Sequence, residues 1–166
     1  MSSQDKNLSD LDYTDSEKCS ELKIAIVTSE WNSDITDRLL SGAQAALDKS
    51  GILEKNIKSI RVPGSFELPM GAQMLIEESD PLPHAVICLG SVIRGETSHF
   101  DFVCTAVSQG IKDVGIKFNI PVIFGVLTDD HKDQSLDRSG GKLGNKGEEA
   151  AVTAVKMALL QRDLRT

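Results

Sequence analysis

The residues of this chain best suited to chemistry stand in one stretch, "GSVIRGETSHFDFVC", from Gly90 to Cys104. An apolar run ends there in a glycine-flanked polar loop, and His99 falls on the first turn of the segment that follows. Free backbone N–H groups and the positive end of a helix dipole make such a turn a ready place for phosphate. Gly95 lets the backbone come close to an anion, while the carboxylate of Glu96 must point away from it. A helix start disfavours imidazolium, so an imidazole at His99 is suited to take up a proton and return it. The plainer reading is a capped helix whose histidine bonds a neighbour. No Walker loop occurs, since "GGKLGNKG" at 140–147 does not fit one, and no G-x-G-x-x-G follows the first apolar run.

Two aromatic residues stand in comparable places. Trp31 lies in "TSEWN" at 28–32 and Phe66 in "PGSFE" at 63–67, each just beyond an apolar run. Aromatics make up only 4% of the chain, and Trp31 is its single tryptophan, so their placement is informative. Such a ring can stack on a flat heterocycle, or it can plug the end of the core. Arg138, just before Gly140-Gly141, can fork on phosphate oxygens or simply end a helix, and Lys142 and Lys146 share that ambiguity.

The elements that must position these groups alternate. Ile24–Val27, Ile57–Val62, Ala85–Ile93 and Val122–Leu127 read as strands, short and rich in branched residues. Between them, Asn32, Ser33 and Asp34 offer caps for a helix with Ile35, Leu39, Leu40, Ala43 and Leu47 on one face and Gly51 as its stop. Pro69 suits the first turn of a helix to about Glu78. Ser98-x-x-Asp101 reads as a capping box opening a helix with Phe100, Val103, Cys104, Val107, Ile111 and Val114 as its stripe. A short helix is predicted over Lys132–Arg138, and Asn145-x-x-Glu148 reads as a second box opening a last helix to about Arg162. This alternation predicts a three-layer α/β/α sandwich with a four-stranded parallel sheet, in a flavodoxin-like arrangement. Ligands of such sheets sit beyond the carboxyl ends of the strands, where Trp31, Phe66, His99 and the "TDDH" loop at 128–131 fall. His131 there reads as a solvated cap, and His84 falls at the opposite end of the sheet.

The whole chain has 166 residues and a formal charge of −7, with no dense basic run. That length suits one domain over 21–166, and the charge argues against nucleic acid and anionic membrane as partners. Residues 1–20 are polar and acidic, read as a flexible tail or docking arm rather than a signal or transit peptide. No apolar run approaches membrane-spanning length. Cys19, Cys88 and Cys104 show no pairing or metal spacing, which favours a reducing, cytoplasmic setting; Cys88 and Cys104 read as core fillers.

Taken in order, these segments resemble the lumazine synthase family. "WN" after the first strand, "VPGSFELP", "GSVIRGETSHFDFVC", "PVIFGVLT" and "DRSGGKLGNKGEEAA" carry the resemblance, from about Ile24 to Leu159. It implies a transferase that condenses 5-amino-6-(D-ribitylamino)uracil with 3,4-dihydroxy-2-butanone 4-phosphate, giving 6,7-dimethyl-8-ribityllumazine, phosphate and water. This is the penultimate step of riboflavin biosynthesis, and the resemblance implies no cofactor and no metal. By resemblance, Trp31 stacks on the pyrimidine, Ser65, Phe66 and Glu67 bind the ribityl chain, and Ser91, Val92 and Ile93 read the pyrimidine edge. Glu96 and Thr97 match the phosphate loop, Arg138 the phosphate-binding arginine, Lys146 a basic residue near the site and His99 the proton-transfer group. Phe124 matches an aromatic that reaches the site of an adjacent subunit. The resemblance further implies a homopentamer with sites between subunits, in many members a sixty-subunit shell, and riboflavin synthase as an expected partner. An acidic tail adding a strand to a neighbour's sheet is implied in the same way. Fold alone also admits a flavin-binding electron carrier or a receiver module, though a receiver needs clustered acids after the first strand and an aspartate ending the third, where this chain reads "TSEWN" and "SVIRG". The alternative within the family is a non-catalytic flavin-binding or shell-forming relative.

Overall fold

The first apolar run, Ile24–Ser29, forms a strand, β1, in which every residue is buried. Such a run fits only a strand covered on both faces, and the computed structural model, which describes residues 19–165, supplies both covers. In chain order the elements are β1, helix α1 (Ser33–Lys49), β2 (Ile57–Val62), α2 (Leu68–Glu77), β3 (Ala85–Ile93), α3 (His99–Phe118) and β4 (Val122–Asp129). Then follow α4 (Lys132–Arg138), a small hairpin of β5 (Ser139–Gly141) and β6 (Gly144–Asn145), and α5 (Lys146–Asp163). The four main strands pair in parallel in the order β2-β1-β3-β4, as the flavodoxin-like expectation requires. The hairpin is an addition that spacing did not reveal.

Alternate side chains of each strand feed opposite layers. Ile24, Ile26, Ile87 and Leu89 pack against Ile35, Leu39 and Leu47 of α1 and Ala151 and Val155 of α5. Ala25, Val27, Val86 and Cys88 pack against Leu68, Leu75 and Ile76 of α2 and Val107 and Ile111 of α3. Each fully buried leucine or isoleucine contributes about 1.5–3 kcal/mol, so the two layers fix the sheet and hence its loops. α5 lies close on α1: a Cβ at Gly147 would overlap the Leu39 carbonyl oxygen. Among the described residues no helix is long and apolar enough to cross a membrane. Of the expected arm, residues 1–18 lie outside the described residues, and Cys19 is buried against the core.

The predicted caps differ from the observed ones. Asn32 does precede α1, but in the left-handed region (φ 60°), and its side chain caps nothing. Its Nδ2 instead donates to the Ser91 carbonyl at 3.0 Å, tying the end of β1 to the end of β3. The Ser98–Asp101 box does not form, because Arg94 draws Asp101 away with Nη2 at 3.1 Å from Oδ1. The second box is half made: Asn145 Oδ1 accepts from the Gly147 N–H at 2.8 Å, while Glu148 pairs with Lys49 at 3.4 Å. In both helices an ion pair takes the acid that a capping hydrogen bond would have used.

Candidate active site

In the strand order β2-β1-β3-β4 the connection from β1 leads to one side and that from β3 to the other, which opens a crevice between their carboxyl ends. A cavity of about 300 Å³ lies at that place. Trp31 and Asn32 enter it from the loop after β1, Gly64–Glu67 from the turn after β2, Ser91–Ile93 from the end of β3, and His99 and Val103 from α3. The structure thus gathers Trp31, Ser65, Phe66, Glu67, Ser91, Val92, Ile93 and His99 at one cavity. Trp31 is 72% exposed and Phe66 60%, so neither plugs the core and both rings are open to a flat ligand.

The floor is small and polar. A Cβ at Gly90 would lie 2.7 Å from Ser65 Oγ and 3.4 Å from Ser29 Oγ, so only glycine leaves both hydroxyls their room. The hydroxyls of Thr28, Ser29 and Ser65 are buried and have no hydrogen-bond partner. Buried hydroxyls of this kind call for a water or a ligand oxygen, and Ser65 borders the cavity.

Glu96, Thr97 and His99 are exposed on the turn that leads into α3. Phe100 is buried and anchors the helix start, with the Arg94 guanidinium 4.1 Å from its ring centroid. Arg94 Nε also meets Asp130 Oδ1 at 2.8 Å, so one cation clasps both sides of the turn. The carboxylates of Asp101 and Asp130 push the Arg94 guanidinium above its usual range. The Gly95 position is open, with nothing near a would-be Cβ, and the His99 N–H faces Thr97 Oγ1 at 3.4 Å. Cys88 and Cys104 do not line this cavity; burial pushes Cys88 up to about 12, and burial with Asp101 raises the half-buried Cys104.

Phe124, Arg138 and Lys146 are not in this cavity. They line a second one of about 720 Å³ that runs along the outer edge of β4 with Asp129 and Glu149, and no residue lines both. Arg138 Nη1 donates to the Gln134 carbonyl at 3.0 Å and lies 3.8 Å from Asp129 Oδ1. Lys146 Nζ is 2.6 Å from Glu149 Oε2, and Phe124 is 41% exposed. Within one chain, then, the aromatic plate and the histidine stand at one cavity, and the arginine and lysine stand at another. Asn32 and Asp129 line these cavities, yet the sequence marks Asn32 only as a cap in the "WN" motif and Asp129 only as part of the "TDDH" loop, because their partners are far off or lie on another element.

The family model described as 6,7-dimethyl-8-ribityllumazine synthase matches residues 21–162. Curated relatives bearing that name include one from Cytophaga hutchinsonii, 55% identical over 157 residues, covering 95% of this chain and 97% of the relative. One from Parabacteroides distasonis is 51% identical over 157 residues with the same coverage of both chains. Another, from Christiangramia forsetii, is 47% identical over 165 residues and covers 99% of this chain and 98% of the relative. With that extent of identity, and with the parallel sheet and strand-end cavity already found, the chain belongs to the 6,7-dimethyl-8-ribityllumazine synthase family.

Proposed function

We propose that the chain condenses 5-amino-6-(D-ribitylamino)uracil with 3,4-dihydroxy-2-butanone 4-phosphate, the penultimate step of riboflavin biosynthesis. The observation that carries the reading is the strand-end cavity, where an exposed tryptophan, a polar floor and His99 converge. Trp31 and Phe66 offer planar faces to the pyrimidine, the Ser91–Ile93 strand end offers backbone groups to its edge, and Ser65 and Glu67 meet the ribityl hydroxyls.

The amine adds to the ketone and loses water to form an imine. Loss of a proton from carbon then expels phosphate and leaves an enol, which becomes a ketone. The ribitylamino nitrogen closes on that ketone and a second water leaves. Every step moves a proton, the work proposed for His99. Expulsion of phosphate is eased by donors around its oxygens, the role given to Glu96–Thr97 at the turn and to Arg138 and Lys146. Holding both substrates in order supplies the rest.

Arg138, Lys146 and Phe124 line a different cavity from His99, so the complete site is proposed to form between two copies of the chain. Exposed Met70, Met74, Phe102 and Ile116 support such association. A closed homopentamer, a larger shell, and riboflavin synthase as a partner belong to the same reading. So does a cytoplasmic setting, which suits the unbridged thiols of Cys88 and Cys104.

Mixing the two substrates with the protein and following lumazine fluorescence tests the activity. Turnover well above the uncatalysed rate is expected, and Arg138→Ala should raise KM for the phosphate substrate by about tenfold or more. A rate equal to the buffer control would refute the reading.

A further inference from the structure

A line of buried polar groups links a residue of the first cavity to residues of the second. Ser91 Oγ, from the first cavity, lies 3.5 Å from Ser135 Oγ on α4. The Ser135 hydroxyl donates to Asp129 Oδ2 at 2.8 Å. Asp129, which lines the second cavity, has Oδ1 3.8 Å from Arg138 Nη1. Ser91, Ser135 and Asp129 are only 2%, 0% and 8% exposed, so these groups face one another and not solvent.

A carboxylate this far from water is costly unless it is paired and hydrogen-bonded. Asp129 has both kinds of partner, Arg138 for charge and Ser135 for a hydrogen bond. Ser135 and Arg138 are three residues apart on α4, so they share the helix face that turns toward the end of β4. Nη1 of Arg138 is engaged by the Gln134 carbonyl and faces Asp129. Among the described residues its remaining N–H donors make no hydrogen bond, and Arg138 lines the open cavity. Without the carboxylate, a long arginine side chain has more rotamer entropy to lose when it meets a ligand.

We propose that Asp129 and Ser135 are positioning residues for Arg138: they hold one edge of its guanidinium against α4, so that the other edge meets the anionic group of the phosphate substrate. This rests on the reading of Arg138 as a phosphate-binding group. Ser135 is the informative member, because removing its hydroxyl changes no charge in the cavity.

The test is steady-state kinetics of Ser135→Ala, Arg138→Ala, Asp129→Asn and the Asp129→Asn/Ser135→Ala double variant, each with a melting curve. Ser135→Ala is expected to raise KM for the phosphate substrate by about three- to tenfold, with KM for the pyrimidine substrate and kcat within about twofold. In the Asp129→Asn background the same change should add less than about twofold, since the two groups act as one unit. If Arg138→Ala weakens the phosphate substrate and Ser135→Ala does not, the positioning role is wrong and the role of Arg138 stands. If Arg138→Ala leaves that KM unchanged, the reading of Arg138 falls and the proposal with it. Equal rises in both KM values together with a lower melting temperature mean a merely structural hydroxyl, which also overturns the proposal.

Discussion

His84 shows how a single side chain ties stability to pH. It is half-buried at the end of the sheet away from both cavities and accepts the Lys23 N–H on Nδ1 at 2.9 Å. Burial, and then the charge of Lys23, hold its imidazole below the ordinary 6.5. The unfolded chain therefore binds the proton first as pH drops below 6.5, and stability falls through that window until the folded imidazole is protonated too. Urea unfolding should show a smaller loss between neutral and mildly acid pH for His84→Asn than for the natural chain; equal losses would remove His84 as the cause. At this scale the sequence was informative where a residue type is rare. Trp31 and Phe66 stood out by scarcity and His99 by its place before an apolar stripe. Asp129 and Ser135 did not stand out, because an acid and a serine near a helix look like ordinary surface until the fold buries them.

Among elements, the short β5–β6 hairpin was not legible, but the order of the four main strands and the five helices was, because branched runs and 3.6-residue stripes are local properties. Their ends were less so. Asn32 looks like a cap in sequence, yet it bridges β1 and β3 from a left-handed backbone. Two separate costs follow for Asn32→Ala: about 1–2 kcal/mol for the backbone and about 1 kcal/mol for the lost hydrogen bond. Asn32→Gly escapes the first and bears the second. Denaturant midpoints should fall in the order natural chain, glycine variant, alanine variant, and an alanine variant as stable as the glycine one would mean the backbone is not strained there. The same bridge fixes the distance between the Trp31 loop and the Ser91 strand end, so both variants should also bind the pyrimidine substrate more weakly. The Ser98–Asp101 box failed for a related reason. Its acid answers to Arg94, and that cation also reaches Asp130 beyond β4, which no window of sequence contains.

For the whole molecule, the separation of His99 from Arg138 makes a prediction about mixtures. Chains carrying His99→Ala and chains carrying Arg138→Ala should each be poor enzymes alone. Co-expressed in equal amounts and purified together, they should regain activity, because a site built from two copies can draw an intact half from each. Random assembly would leave about a quarter of the sites with both natural residues. Activity no greater than the average of the two parents would mean that each chain works by itself. This division was partly open to sequence reading, since the resemblance assigned Phe124 to an adjacent subunit. The company Arg138 and Lys146 keep with it emerged only once β4 was seen to be the outer strand with the second cavity along it.

The two cavities share no lining residue, and under the proposal that the site forms between two copies, a count follows. A string of copies joined head to tail leaves one unused donor on its first copy and one unused acceptor on its last, so it holds one working centre fewer than it has copies. Joining the ends into a loop recovers the missing centre, and turnover per chain then reports whether the circle is complete.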